Sequence, residues 1–204
     1  MTNRPLHRTL LLAALPALVI YVLALLLSAA AGINTELVIR DLAQTSNTAL
    51  GVGFISNLGY LQWISAAAIA LFAALGGLPG LRGRERQLLL CGGGFSLLLC
   101  LDDMFLLHDR YIGSSFLYGL YALFALLILF RFRRQVLALA GGTFLLAVVL
   151  LGLSVMIDAL QTVIPVPYEQ LQLVEEGAKF LGIACWLAFW CQAAAGVARS
   201  KAQA

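Results

Sequence analysis

Charge is scarce in this sequence: 11% of its 204 residues are Asp, Glu, Lys or Arg, against about a quarter in ordinary soluble domains. Too few polar side chains remain to cover a water-facing surface. Histidine is scarcer still, with two, His7 and His108, so a centre built from several imidazoles is excluded. The expected path puts these two on opposite sides of a membrane, which removes haem held by two histidines as well. The four cysteines, Cys91, Cys100, Cys185 and Cys191, sit inside apolar runs rather than at zinc-knuckle or disulfide-framework spacing, and read as buried small apolar side chains. No nucleic-acid motif, internal repeat, low-complexity tract or long linker is present, so residues 1–204 are expected to form one integral membrane domain.

What is abundant is apolar sequence, 62% of the chain. It falls into six runs that predict helices over about 10–31, 52–75, 88–108, 115–132, 136–160 and 169–197. Most are long enough to cross ~30 Å of hydrocarbon at ~1.5 Å per residue. The fold class is therefore all-α, a polytopic transmembrane bundle of about six helices. The fourth run is the shortest and is expected to borrow turns from 113–115 and from Arg131 and Phe132. The first run ends in the small residues Ser28, Ala29 and Ala30, as a secretory signal does. It is longer than the ~7 to 15 apolar residues of such a signal, so a retained anchor helix is the preferred reading.

Basic residues alternate along the connections. Arg4 and Arg8, then Arg82, Arg84 and Arg86, then Arg131, Arg133 and Arg134, and finally Arg199 and Lys201 all fall on one side of a six-helix path, leaving only Arg40 and Arg110 on the other. Basic connections stay in the cytoplasm, so both termini are expected there, as in a bacterial inner membrane. On the other side, the stretch from Glu36 to Leu42 could form a short helix at the membrane surface. Pro165 and Pro167 make a stiff turn before the last helix.

The acids were not used for that orientation, yet they separate by it. Glu85 alone is cytoplasmic, whereas Glu36, Asp41, Asp102, Asp103, Asp109, Asp158, Glu169, Glu175 and Glu176 belong to the outer half or its loops. Carboxylates have little say in topology, so their clustering needs another cause. Asp102 and Asp103 near the outer end of the third helix, Asp158 near that of the fifth, and Glu175, Glu176 and Lys179 early in the sixth define an outward-facing acidic site. The second helix adds Ser56, Asn57 and Gln62, and the fourth Tyr118 and Tyr121. In a continuous helix His108 points ~140° from Asp103 and ~120° from Asp102, so it joins either only where the helix unwinds.

A charge at the centre of a membrane helix costs ~2.5–3.5 kcal/mol, so several kept together imply pairing, hydration or function. Three readings are open. In the first, Asp102, Asp103, Asp158, Glu175 and Glu176 act as bases or ligands, Lys179 orients or neutralises them and His108 acts at the rim of a hydrolase that draws a lipid substrate from the bilayer. Its metal-dependent form places a divalent ion, Mg, Mn, Ca or iron, on Asp103, Asp158 and Glu176. In the second, the same groups relay protons or cations in transport. In the third they only tie helices together, with Lys179 paired to Glu175 or Glu176 on its own helix. Trp186 and Trp190 are expected on a lipid-facing or interface-anchoring surface. Ala178, Gly182 and the Gly92–Gly94 run permit close helix approach within the chain or in a homo-oligomer.

Overall fold

The computed structural model describes residues 11, 14–40, 42–49, 51–77, 81 and 83–202, with the side chains of 36, 43, 77 and 199–202 also outside that description. Arg4, Arg8, Asp41 and Arg82, and the side chains of Glu36, Arg199 and Lys201, therefore lie outside the described residues. Every regular element among the described residues is helical. The chain divides into two compact units, Met1–Val52 and Gly53–Ala204.

The first unit holds α1, Leu15–Ala30, and two single-turn helices, α2, Thr35–Ile39, and α3, Leu42–Ser46. The helical tendency expected after Glu36 is thus present in two pieces. With Pro16 in its first turn, α1 rises ~24 Å over its 16 residues. It is apolar but shorter than a typical span.

The second unit contains five helices long and apolar enough to cross a membrane. These are α4, Phe54–Phe72, extended to Gly76 through a wider π turn; α5, Gly83–Phe105; α7, Ser114–Arg131; α8, Arg133–Leu160; and α9, Tyr168–Ala202. A one-turn α6, Leu107–Arg110, stands between α5 and α7. The fourth apolar run does reach back to Ser114 and on to Arg131, as its length required. α8 departs from helical dihedrals at Ala140, immediately before Gly141 and Gly142, the kind of glycine pair at which long helices bend.

Large apolar side chains remain exposed on these helices, among them Phe116, Leu123, Leu127, Phe130, Leu146, Val149 and Leu181. In water such faces would be costly; against lipid tails they are not, and the backbone groups behind them are satisfied within each helix. Packing between helices then rests on close approach. A Cβ on Gly92 would fall 1.8 Å from Trp190 Cη2, one on Gly93 2.6 Å from Leu71 and one on Gly182 2.8 Å from Leu151. Glycine thus lets α5 meet α9 and α4, and lets α9 meet α8. These small residues serve packing within the chain, while Gly94 in the same run faces open space.

The aromatic expectation is corrected. Trp186 and Trp190 do not face lipid; both are buried, with ring centroids 5.6 Å apart. Phe144 and Phe95 pack edge or tilted against Trp186 at 5.5 and 5.9 Å. Trp186 Nε1–H donates to Ser96 Oγ at 2.8 Å, and Ser96 Oγ–H donates to the Gly92 carbonyl at 2.8 Å. An indole sits in a dry core at least cost when its N–H has such a partner, as that of Trp186 does; the Trp190 Nε1–H is buried with no partner among the described residues. The cysteine reading holds for Cys100, which is buried, and fails for Cys191, which is exposed on the apolar surface.

Candidate functional site

The site begins where α5 ends. Leu106 adopts a left-handed conformation, φ 52° and ψ 45°, which costs a branched L-residue ~1–2 kcal/mol. Asp102 supplies the compensation. Its Oδ1 accepts the backbone N–H of His108 at 2.9 Å, and its Oδ2 lies 2.8 Å from His108 Nδ1. In an unbroken helix that N–H would be committed to the carbonyl four residues back; here the carboxylate takes it over, so the helix stops and restarts as α6. The break turns His108 onto the same side as Asp102. Asp102 and His108 are 3% and 8% exposed, so their bonds are shielded from water. Ser114 Oγ–H donates to the His108 carbonyl at 3.0 Å, and the Tyr118 ring stands 5.3 Å from the imidazole, fixing it from the α7 side.

Asp103, the next residue, is turned ~100° further round α5 and meets two different helices. Lys179 Nζ on α9 lies 2.8 Å from its Oδ1, and Trp63 Nε1–H on α4 donates to its Oδ2 at 2.9 Å. One carboxylate thereby joins α4, α5 and α9. This pairing differs from the bond to Glu175 or Glu176 that spacing along one helix allows. The cross-helix pair draws on Asp103, whose side chain is 11% exposed, while Glu175 and Glu176 line the same cavity. Asp158 on α8 accepts from Gln161 Nε2 at 3.0 Å and also lies against the Tyr118 hydroxyl; the Tyr121 hydroxyl lies against Asp102.

All seven residues singled out from the sequence, Asp102, Asp103, His108, Asp158, Glu175, Glu176 and Lys179, line one cavity of about 620 Å³. That volume is within the ~300–1,000 Å³ typical of small-molecule sites. Its polar wall continues through Tyr60, Asp109 and Tyr168, and its depth is apolar, formed by Phe95, Leu126, Val148, Ile183 and Trp186. Trp63, Tyr60 and Tyr168 escaped the sequence reading. A tryptophan in the middle of an apolar helix carries no local sign that its N–H is aimed at an acid.

Carboxylate and imidazole donors of Asp102, Asp103 and His108 lie within 4.8 Å of one another, close enough to share a cation. Asp103, however, already has the Lys179 ammonium as its counter-charge. Asp102 with His108 makes a different device, a carboxylate that holds an imidazole in one orientation and leaves Nε2 facing the cavity rim. There Asp109 Oδ1 is 3.5 Å away, too far for a good hydrogen bond.

Among the described residues, an all-helical arrangement with five helices long and apolar enough to cross a membrane defines the class, a polytopic membrane protein. Within that class, the chain belongs to the family described as "Domain of unknown function (DUF8692)", whose model matches residues 11–193. No curated protein and no solved structure matches it.

Proposed function

We propose that this protein is a membrane-embedded hydrolase acting on a lipid, with His108 as the general base. The observation that carries the reading is the continuity of one cavity from the Asp102–His108 pair to the apolar depth at Phe95, Leu126, Val148 and Trp186. A polar head and an acyl chain find matching walls there. With Nδ1–H donating to Asp102, the Nε2 lone pair accepts a proton from water as the water oxygen adds to an ester or amide carbonyl. The proton then passes to the departing alkoxide or amine as the C–O or C–N bond breaks. Lys179, held by Asp103, contributes positive charge at the level where the oxyanion forms. Asp158, Glu175 and Glu176 orient the head group and the attacking water.

A divalent metal is the variant of this reading, on Asp103, Asp158 and Glu176 or, as donor proximity favours, on Asp102, Asp103 and His108. Such an ion must displace the Lys179 ammonium from Asp103, so the metal-free form is preferred. The Asp103–Lys179 pair inside two membrane helices favours one alternative, proton- or cation-coupled transport. The arginine-lined end of the bundle faces the cytoplasm of a bacterial inner membrane in this proposal, α1 makes a sixth crossing, and the cavity opens outward.

Protein reconstituted with mixed glycerolipids and sphingolipids is expected to release fatty acid or head group, read by mass spectrometry. His108→Gln and Asp102→Asn should each lower the rate by about 100-fold or more, and Asp109→Asn should change it little. No lipid product, together with pH-gradient-driven flux lost in Lys179→Met, would assign the protein to transport instead. Stoichiometric metal in the purified protein, lost in Asp103→Asn, would select the metal variant. Labelling that finds Arg84 outside the cytoplasm and Asp109 inside it would overturn the orientation.

A further inference from the structure

The end of the bundle away from the acidic cavity has a hollow of its own, about 250 Å³, lined by Arg84, Phe130, Arg131, Arg133, Arg134 and Gln135. Arg84 stands on the first turn of α5, Arg131 closes α7 and Arg133 and Arg134 open α8. Two connections far apart in the chain therefore deliver four guanidinium groups to one place. Among the described residues no carboxylate pairs with any of the four. Arg131 lies over the Phe132 ring, 5.4 Å from its centroid, which holds it at the margin without neutralising it. Gln135 Oε1 is buried and has no hydrogen-bond partner.

We propose that this hollow binds a phosphate group, carried by an anionic phospholipid or supplied free. Converging like charges repel, and a rule of topology that asks only for basic residues in the cytoplasm does not ask them to share a pocket. Phosphate answers both features: guanidinium forks bind its oxygens two at a time, and a neighbouring hydroxyl or protonated oxygen satisfies Gln135. Phe130, 69% exposed on the membrane-facing stretch of α7, offers the apolar contact that an attached acyl chain would use. The site is independent of the hydrolytic reading.

The test uses the full chain in neutral detergent. Phosphatidylglycerol and phosphatidylcholine are titrated separately and followed by native mass spectrometry, and inorganic phosphate is titrated against the melting temperature. Phosphatidylglycerol is expected to bind more tightly than phosphatidylcholine, and Arg84→Ala with Arg133→Ala to weaken it by about tenfold or more. Arg199→Ala with Lys201→Ala, which removes as many basic residues from the C-terminal segment, should change binding less than about twofold if the pocket and not bulk charge is responsible. Stabilisation by inorganic phosphate, lost in the first double variant and not reproduced by the lipid, would assign the pocket to free phosphate. Equal binding of the two lipids without any phosphate effect, or equal weakening by the two double variants, would overturn the proposal.

Discussion

At the acidic end of the bundle the two aspartates of α5 are engaged inside the protein, Asp102 by His108 and Asp103 by Lys179 and Trp63; at the basic end four arginines gather, and among the described residues no carboxylate forms an ion pair with them. The contrast teaches where each set of charges does its work. Internally paired charges couple helices, so altering them disturbs the fold. Charges left to the surroundings couple the protein to something else, so altering them disturbs binding.

The comparison breaks if substitutions at the two ends cost alike. Lys179→Met is expected to have the largest effect, about 3 kcal/mol of destabilisation, because it leaves the Asp103 carboxylate buried without its cation. Adding Asp103→Asn should restore most of that loss, measured as a double-mutant cycle by thermal unfolding in detergent. Gly92→Ala comes next at about 2 kcal/mol, since its methyl would overlap the Trp190 ring and force α5 from α9. Gly94→Ala, two residues on and facing open space, should be neutral or stabilising by up to ~1 kcal/mol. Leu106→Gly is expected to be a small change, at most about 1 kcal/mol stabilising, as relief of the left-handed conformation is offset by a freer unfolded chain. Arg84→Ala with Arg133→Ala should be smallest, within ~0.5 kcal/mol of wild type in lipid-free detergent. A loss there as large as that of Lys179→Met would show the arginines to be structural, and the distinction between the two ends would fall.

Much of the candidate site is legible in the sequence. Asp102, Asp103, Asp158, Glu175, Glu176 and Lys179 reach one level because each lies a readable number of residues from a helix end, and helical rise converts that number into depth. His108 was legible conditionally: helical geometry required an interruption to bring it to Asp102, and the interruption is present at Leu106. Its position was not legible, because it depends on a carboxylate outcompeting a backbone carbonyl for one N–H. The choice of Asp103 over Glu175 and Glu176 as the partner of Lys179 was hidden too. Spacing within α9 favours the local pairs, and only the packing of α5 against α9 brings a better-buried acceptor within 2.8 Å. The burial of Trp186 and Trp190 is hidden for a related reason, since an apolar helix with little amphipathic contrast does not say which face meets lipid and which meets protein.

By itself the sequence determined the solvent and the levels. Hydropathy accumulates along a segment, so the apolar runs and their lipid-compatible surfaces follow from local composition, and five of the six expected runs form helices long enough to cross a membrane. The tertiary structure alone decided the partners. Trp63 and Asp103 are separated by 40 residues, and Ser96 and Trp186 by 90. Bonds across such distances depend on how helices rotate and how closely glycines let them approach, and in lipid, where apolar faces are nearly interchangeable, those choices rest on shape and on the few polar groups that must find one another.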